Sequence, residues 1–342
     1  MNQMANVEMM AADFDAFVQS MPSGVVYGQE KLPFQVQRGG GGQSLEEWIG
    51  KHRDQVDRAL HLFGAILFRG FGINSAEKLS RVAIAHSGEL LGYIERGARR
   101  VQLGDKVYSS TEYAPDEVIP MHHEMSYSHH WPSMLYFCSQ IVADEGGYTP
   151  LADDRKVFRA IPEEIKRRFI EKKVMYVRNY GLGVDMHWRE AFQVQTKEEV
   201  ENYLRESRTN FEWLPGGVLR TRAIRQAISV HPVTNDTVWF NHAHLFHSSN
   251  MPADVREFLT KEFTEEGMPR NAYYGDGTPI EDSVVTLIRD IYDQHAVRFE
   301  WEEGDVLFVD NFLMTHGRSP FKGMRKVCVA MSQLYTNNIL HG

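Results

Sequence analysis

The sequence predicts an α+β fold that is mainly β, with a β-sandwich or barrel at its centre and helices packed outside it. Two observations predict this fold. From residue 101 onward, runs of β-branched and aromatic residues bounded by turn residues recur along the chain, as the strands of one sheet system do. Helical patterns cluster before residue 101 and in excursions between those runs. With 342 residues and 42% hydrophobic residues, the chain has enough apolar side chains for a large buried core.

The first part of the chain is predicted as an arm followed by two helices with a strand between them. Residues 1–43 form the N-terminal arm, which ends in the glycine-rich link RGGGGQS. The stretch SLEEWIGKHRDQVDRALHLFG predicts one helix, because Ser44 can cap its start, acidic residues occupy its first turn and Gly64 can end it. A short buried strand, AILFRGFG, and a second helix, SAEKLSRVAIAHSGEL, complete this part.

The remainder is predicted as the β core of a single domain that spans residues 44–342. The core covers about residues 101–335, and helical insertions interrupt it at about residues 160–270. The predicted strands are RVQLGDKVYSSTEY, SMLYFCSQIV, KVMYVRNYG, TVWFN, AVRFEWEEGDVLFVDN and MRKVCVAMSQLY. The predicted inserted helices are IPEEIKRRFIEK, KEEVENYLRES and PADVREFLTKEFTEEG.

Composition excludes several classes of protein. The formal net charge of −9 argues against nonspecific nucleic-acid binding, which needs a basic face. Cys138 and Cys328 lie in apolar runs and are predicted to be buried thiols in a reducing compartment, so a disulfide scaffold is excluded. The N-terminus lacks the pattern of a signal peptide, and no apolar run is long enough to span a bilayer. We therefore expect a cytoplasmic protein without membrane or nucleic-acid partners, and homo-oligomers are compatible with the sequence.

The stretch PMHHEMSYSHHW, residues 120–131, contains half of a predicted metal site. His122 and Glu124 are two residues apart, so in an extended strand both side chains point to one face. A third ligand is predicted at His316, which follows the strand GDVLFVDN far along the chain. Two histidines and one carboxylate on one side of a metal form the facial triad of non-haem Fe(II) oxygenases, which leaves open positions for substrates.

Several motifs carry a resemblance to a known family. They are AILFRGFG, STEY…IPMHHEMSYS, GGYTPLADDRKVF, VWFNHAHLFH, NAYYGDGTPIED and GDVLFVDNFLMTHGRSPFKGMRKV, which together cover about residues 60–335. In this order they resemble the taurine dioxygenase/clavaminate synthase-like (TauD/TfdA) family of Fe(II)- and 2-oxoglutarate-dependent oxygenases. Within that family the chain is most similar to the branch associated with amino-acid and nonribosomal-peptide biosynthesis.

The resemblance implies a double-stranded β-helix (jelly-roll) core with flanking helices and helical insertions, and an enzyme that uses Fe(II), 2-oxoglutarate and O2. It implies that His122, Glu124 and His316 bind the iron. It also implies that Thr149 donates a hydrogen bond to a carboxylate of 2-oxoglutarate and that Arg325 pairs with its distal carboxylate. A guanidinium suits that role because it is always charged and offers a bidentate fork. Arg318 is the rival for this role, and strand alternation favours Arg325.

The resemblance also bears on the reaction. Family halogenases have a small residue where this chain has Glu124, so we expect hydroxylation of an unactivated C–H bond, with release of succinate and CO2. Desaturation or ring closure through the same iron chemistry is the alternative. The expected substrate is an amino acid or a derivative, free or bound to a peptidyl carrier domain, in antibiotic biosynthesis. Its predicted contacts are Asn241, Asp185 and Arg189, with Arg318 as a further candidate.

Other interpretations stay open at this level. The same triad in a cupin-like fold would suit a zinc-dependent hydrolase or isomerase, and a jelly-roll binding module could retain such a site without catalysis. The histidines of FNHAHLFH form either a second metal site or packing beside the first. His123 stands where this branch has asparagine, which makes it a second candidate ligand. The basic cluster RGARR, residues 96–100, is predicted as a solvated face, with an acidic carrier domain or a substrate carboxylate as its alternative partner.

Overall fold

A computed structural model gives the fold of residues 11–23, 25–40, 42–98, 100–110 and 113–337. Its helices are α1 (Ala11–Ser20), α2 (Leu45–Lys51), α3 (Arg53–Phe63), α4 (Ala76–Ser87), α5 (Asp154–Ala160), α6 (Glu163–Lys172), α7 (Trp188–Phe192), α8 (Lys197–Glu206), α9 (Ala243–Phe246), α10 (Ala253–Glu262) and α11 (Asp282–His295). None of these described helices is both long and apolar enough to cross a membrane.

The strands form several sheets. They are β1 (Val25–Lys31), β2 (Phe34–Arg38), β3 (Ala65–Arg69), β4 (Gln102–Gly104), β5 (Val107–Ser109), β6 (Ile119–His122), β7 (His130–Ile141), β8 (Glu145–Gly146), β9 (Leu151–Asp153), β10 (Val174–Tyr180), β11 (Asn210–Trp213), β12 (Leu219–Arg225), β13 (Ile228–Val230), β14 (Thr237–Trp239), β15 (Arg270–Tyr274), β16 (Val306–Asp310), β17 (Met314–Arg318), β18 (Phe321–Lys322) and β19 (Lys326–Thr336).

The largest described sheet has eight strands in the order β1-β2-β3-β16-β7-β19-β5-β4. The pair β2–β3 is parallel, and the other pairs are antiparallel. Side chains alternate along β7, so Leu135 and Phe137 belong to one buried cluster while Tyr136 and Cys138 belong to another. The sheet is therefore apolar on both faces and is covered on both.

Helices cover the face that carries Tyr136. Trp48, Leu60 and Leu79, from α2, α3 and α4, share its apolar cluster. Ser44 caps α2, as predicted, and it forms a capping box with Glu47. The predicted single helix is two helices, because the backbone at His52 leaves helical geometry at φ −128°. Gly50 precedes the break and has low helix propensity.

The end of α3 shows why a glycine is needed there. Gly64 ends the helix, as the sequence predicts, and its backbone lies in the left-handed region at φ 75°. A Cβ atom on Gly64 would meet the side chain of Met314, so a larger residue would force this side chain of the core strand β17 to move. This close approach ties the helical layer to the sheet that carries the site.

The opposite face of the large sheet packs against a three-stranded sheet with the order β6-β17-β9. Leu151 and Met314 of this small sheet share one buried cluster with Leu135 and Phe137 of the large sheet. Two sheets pack face to face and helices lie outside them, which confirms the predicted α+β fold with a jelly-roll core and flanking helices. The candidate site lies on the small sheet.

The segment of about residues 160–270 holds α6, α8 and α10 and also a separate antiparallel sheet, β11-β12-β10-β15. The sequence predicted that KVMYVRNYG belongs to the same sheet system as the core strands. Its strand, β10, pairs instead with β12 and β15. A strand's residue pattern indicates which face is buried, whereas its partner depends on contacts far along the chain, so this difference is not visible locally.

The predicted N-terminal arm contributes two strands to the large sheet. Strands β1 and β2 pair with each other, and Phe34–Gln37 of β2 pairs with Ile66–Arg69 of β3. The boundary after residue 43 stays a prediction, and strands β1 and β2 before it belong to the sheet that supports the core.

Candidate metal centre

The two predicted histidine ligands lie directly opposite each other in a β ladder. Strand β6 pairs antiparallel with β17, and His122 is the partner of His316 in this register. Their ring centroids are 4.4 Å apart, and both residues are buried. Residues opposite each other in a ladder have neighbouring side chains on one face, so the pairing of two strands distant in sequence brings the two imidazoles together.

Glu124 follows β6 and is fixed by the side chain of Asn311. The backbone N–H of Glu124 donates to Oδ1 of Asn311 at 2.8 Å, and Nδ2 of Asn311 donates to the carbonyl of Glu124 at 2.9 Å. The same amide also donates to the carbonyl of Pro132 at 2.7 Å. Asn311 is fully buried. It therefore holds the backbone after β6 so that the carboxylate faces the two imidazoles.

These three side chains fit a divalent transition metal. His122, Glu124 and His316 each offer one ligand atom, and these atoms lie within 4.8 Å of one another. Nδ1 of His122 donates to the carbonyl of Pro120 at 2.8 Å, which leaves the lone pair of Nε2 free and orients the ring. Nδ1 of His316 is buried and has no hydrogen-bond partner among the described residues. A donor set of two imidazoles and one carboxylate suits Fe(II).

Burial keeps both imidazoles in the neutral form that binds metals. It lowers the pKa of His122, although Glu124 opposes this shift. It also lowers the pKa of His316 well below the ordinary value, and the positive charges of nearby groups, including Arg100, add to the effect. Because a ligand histidine must be unprotonated, the site is ready to bind a metal at neutral pH.

Two residues that the sequence analysis missed contact the carboxylate of Glu124. The hydroxyl of Tyr93 donates to Oε1, and Nη2 of Arg100 donates to Oε2 at 2.7 Å. Burial and the neighbouring Glu124 raise the pKa of Tyr93, so its hydroxyl keeps its proton. Burial by itself lowers the pKa of Arg100, but Glu124 and the neighbouring Tyr93 and Tyr127 together outweigh burial and raise the pKa of the guanidinium. The expectation that RGARR is a solvated face is wrong for Arg100, whose side chain is 4% exposed.

Thr149 and Arg325 lie in the same pocket as the two histidines. Nε of Arg325 donates to the carbonyl of Gly147 at 2.8 Å, and Nη2 donates to Oγ1 of Thr149 at 3.3 Å. Nε1 of Trp301 also donates to Oγ1 of Thr149, at 3.0 Å. The pocket encloses about 30 Å³, and a second cavity of about 300 Å³ adjoins it across Arg325.

Arg318 lines the same pocket but is bound to backbone carbonyls. Its guanidinium donates to the carbonyls of Tyr113 at 3.2 Å, Ala114 at 2.6 Å and Glu117 at 2.9 Å. These contacts hold the segment around residues 113–117 against β17. Arg325 has fewer protein partners, so of the two arginines it has the freer guanidinium for a bound anion.

The other residues predicted to contact the substrate are bound to groups of the protein itself. Asn241 donates to the carbonyl of Ala227 at 2.7 Å and accepts from the N–H of Ala243 at 3.0 Å. Asp185 accepts from Nη2 of Arg270 at 2.6 Å. Arg189 is exposed and stacks on Trp188, with 4.3 Å from its Cζ to the ring centroid. Asn241, Asp185 and Arg189 do not line the pocket of His122 and His316, so their roles stay predictions.

The remaining histidines near the site have separate partners. His123 points away from the metal group, because Nδ1 contacts the carbonyl of Asn311 at 2.7 Å and Nε2 contacts that of Trp239 at 3.0 Å. His242 contacts Oγ of Ser126 at 2.6 Å. His244 donates to the carbonyl of Met121 at 2.7 Å, and burial lowers its pKa to about 4. The histidines of FNHAHLFH therefore pack individually beside the first site.

A second group of potential ligands, His61, His231 and Asp310, is poorly suited to a metal. Nδ1 of His231 accepts from the backbone N–H groups of Val233 at 3.2 Å and Thr234 at 2.9 Å. Its proton must then reside on Nε2, which donates to Asp310 at 2.9 Å. No lone pair of His231 is left for an ion, so this group is a structural hydrogen-bond network.

Comparison with known proteins yields one family and several relatives. The profile of the family "Taurine catabolism dioxygenase TauD, TfdA family" matches residues 28–331. Dapdiamide synthesis protein DdaC of Enterobacter agglomerans is 39% identical over 288 residues, which cover 84% of this chain and 87% of that protein. A clavaminate synthase-like protein of Arabidopsis thaliana is 30% identical over 294 residues, which cover 83% of this chain and 86% of that protein.

Solved structures share the fold at low identity. The structure of AAD-2 in complex with Mn(II) and N-oxalylglycine matches with a TM-score of 0.51 and 16% identity over 90% of this chain and 96% of that one. A taurine dioxygenase from Burkholderia xenovorans matches with a TM-score of 0.51 and 13% identity over 92% of this chain and 95% of that one. At these identities the likeness is one of fold.

Proposed function

The chain belongs to the TauD, TfdA family and is a 2-oxoglutarate-dependent, non-haem Fe(II) dioxygenase; we propose that it hydroxylates an unactivated C–H bond of an amino acid or amino-acid derivative. Succinate and CO2 are the products formed from 2-oxoglutarate. DdaC, a relative at 39% identity, is named for dapdiamide synthesis, which supports a role for this chain in the biosynthesis of a small molecule.

The observation that supports this proposal most is the register of β6 and β17. It places His122 opposite His316, and Asn311 turns Glu124 toward them. In the proposed enzyme these three side chains hold Fe(II). Bound iron supplies the activation of O2 coupled to the decarboxylation of 2-oxoglutarate.

Arg325 and Thr149 are the proposed contacts for the distal carboxylate of 2-oxoglutarate. Burial and the nearby Arg318 lower the pKa of Arg325 to about 10, so it remains charged at neutral pH. A half-buried cation without a carboxylate partner is unfavourable, and an anion bound by its guanidinium fork offsets that cost. This pair also favours the oxygenase over a zinc hydrolase, which has no use for a dicarboxylate subsite.

The residues around the metal centre support hydroxylation. Glu124 occupies the place that a halide would need, so hydroxylation is proposed, with desaturation or ring closure as the alternative outcome. The protein's share of the chemistry is to orient the substrate and to exclude water. The ring of Phe137 lies 5.1 Å from that of His316 and closes the pocket on the side of the large sheet.

The proposed function is tested by coupled product analysis. Amino acids and their carrier-bound forms are supplied with Fe(II), 2-oxoglutarate and O2, and succinate is measured together with the mass of the substrate. We expect a substrate that stimulates succinate release and gains one oxygen atom. A product that has lost two hydrogen atoms and gained no oxygen identifies desaturation or ring closure instead. Succinate that never depends on Fe(II) would contradict the enzyme class.

Gly147 is expected to be required for the position of Arg325. Its φ is +70°, and a Cβ atom there would lie 2.9 Å from Cδ of Arg325 and 3.0 Å from Cβ of Ala143. We expect Gly147→Ala to displace the guanidinium and to raise the Kd for 2-oxoglutarate by about tenfold or more, the cost of a charge-assisted hydrogen bond. The Kd is measured by titration of the Fe(II)-loaded protein without O2.

Gly183 provides a matched control for this substitution. It has φ +84°, but a Cβ atom there would meet nothing within 4 Å. Gly183→Ala should therefore show the same backbone strain, about 1–2 kcal/mol, without any change in the Kd. If both variants bind 2-oxoglutarate like the parent, the proposed place of Arg325 is wrong.

A further inference from the structure

Arg100 lies inside the pocket of the metal centre. Its side chain is 4% exposed, and it lines the pocket together with His122, His316 and Arg325. The guanidinium lies over the ring of Tyr93, with 4.9 Å from Cζ to the ring centroid, and Nη2 donates to Glu124 at 2.7 Å. The residue is therefore fixed at the site by an aromatic ring below it and a carboxylate beside it.

The hydrogen bonds of Arg100 are incomplete. A guanidinium has five N–H donors, and the contact with Glu124 uses one of them. Nε of Arg100 is buried without a hydrogen-bond partner among the described residues. Buried donors of a charged group that stay unpaired are unfavourable, so Arg100, which also lines the pocket, can bind a further acceptor there.

The charges of the pocket indicate which kind of hydrogen-bond acceptor would bind Arg100. Of the three arginines that line the pocket, Arg318 is bound to three backbone carbonyls and Arg325 is assigned to the co-substrate. Glu124 is the carboxylate that pairs with Arg100, and it shares its negative charge with a bound dication. Arg100 then has a positive charge that Glu124 no longer balances fully, and a buried charge without a partner is strongly disfavoured.

On the premise of the proposed function, we propose that Arg100 binds a carboxylate of the substrate, so that the enzyme oxidises a free carboxylic acid rather than its thioester, ester or amide. A carboxylate has two oxygens that match the fork of one guanidinium and a single charge that matches one arginine. Because Arg100 contacts Glu124, the carbons next to that carboxylate lie beside the metal ligands. The proposed substrates are therefore acids whose carboxylate is free and is not joined to a carrier domain.

The test uses the anaerobic complex of the whole chain with Fe(II) and 2-oxoglutarate. Its visible charge-transfer band is recorded first, and it changes when a molecule binds beside the metal. Acetate and the proteinogenic L-amino acids are then titrated, each beside its carboxamide, at constant ionic strength. We expect one or more carboxylates to perturb the band at concentrations about tenfold or more below those of their carboxamides.

Variants assign this preference to Arg100. Arg100→Gln should abolish the preference for acid over amide, and Arg100→Lys should restore part of it. Arg96→Gln is the matched control, because Arg96 stacks on the same Tyr93 ring, at 5.8 Å, without lining the pocket. This variant should keep the preference of the parent.

Each other outcome overturns the inference. If no carboxylate perturbs the band, or if carboxylates and carboxamides act alike in the parent, Arg100 binds no substrate carboxylate. If Arg100→Gln weakens Fe(II) binding but keeps the acid preference, Arg100 only positions Glu124. If the parent protein shows no charge-transfer band with Fe(II) and 2-oxoglutarate before any probe is added, that result contradicts the proposed function instead.

Discussion

Replacing His316 by alanine is expected to abolish stoichiometric Fe(II) binding and to reduce turnover to background. His316 stands opposite His122 in the β6–β17 ladder, and with Glu124 it offers one of three ligand atoms within 4.8 Å. Loss of an outer-shell partner of a ligand already costs about 10–100-fold in metal affinity. Removal of a ligand itself should therefore cost at least about a hundredfold.

The measurement is iron content after equilibrium dialysis without O2, followed by titration with Fe(II). His130→Ala is the matched control, because His130 belongs to the same histidine-rich tract and contacts Thr336 at 2.9 Å, away from the ligand group. This control should bind one Fe(II) per chain like the parent. Retention of stoichiometric Fe(II) by His316→Ala would show that the metal is held elsewhere.

Replacing Arg325 by alanine is expected to weaken 2-oxoglutarate binding by at least about thirtyfold while Fe(II) binding stays unchanged. Truncating one partner of a buried, hydrogen-bonded charge pair costs about 2–5 kcal/mol, and 1.4 kcal/mol corresponds to about tenfold in Kd. Arg325 lines the pocket of the two histidines but contacts none of the three ligands, so its loss should leave the metal in place.

The Kd for 2-oxoglutarate is measured on the Fe(II)-loaded protein, and the apparent KM is measured with saturating substrate. Lys326→Ala is the control, since Lys326 is the exposed neighbour of Arg325 on β19. We expect the KM to rise in Arg325→Ala with a smaller change in kcat at saturating 2-oxoglutarate. Equal affinities in the parent and in Arg325→Ala would remove this residue from the co-substrate site and bring Arg318 back into consideration.

The parts of the site that could be predicted are those that the local sequence encodes. His122 and Glu124 are two residues apart, so their side chains share one face of any extended strand. The motif around His316 indicates the third metal ligand. Their meeting in one register depends on the pairing of β6 with β17. That pairing joins segments far apart in sequence, which is why it required the family resemblance as well as the strand pattern.

Residues that act through distant partners were not predictable in this way. Asn311 holds the backbone of Glu124 and Pro132, and nothing in its local sequence indicates this role. Arg100 carries a signal, the cluster RGARR, but clustered charges usually face solvent. Its burial follows from the ring of Tyr93 and the carboxylate of Glu124.

The fold shows the same division between local and long-range information. Ser44 as a helix cap and Gly64 as a helix end are local signals, and both were predicted correctly. Strand β10 was recognised as a strand, but its place in a separate four-stranded sheet depends on β12 and β15. Residue pattern thus indicated the elements and their buried faces, while the partners came from tertiary contacts.

The most direct test of the central claim is an anaerobic titration of the metal-free chain with Fe(II) and then 2-oxoglutarate. We expect one Fe(II) per chain and a weak visible charge-transfer band on addition of 2-oxoglutarate. The band should disappear in His122→Ala and should require more 2-oxoglutarate in Arg325→Ala. The absence of any band in the parent, together with tightly bound zinc, would contradict the oxygenase and favour a zinc-dependent hydrolase.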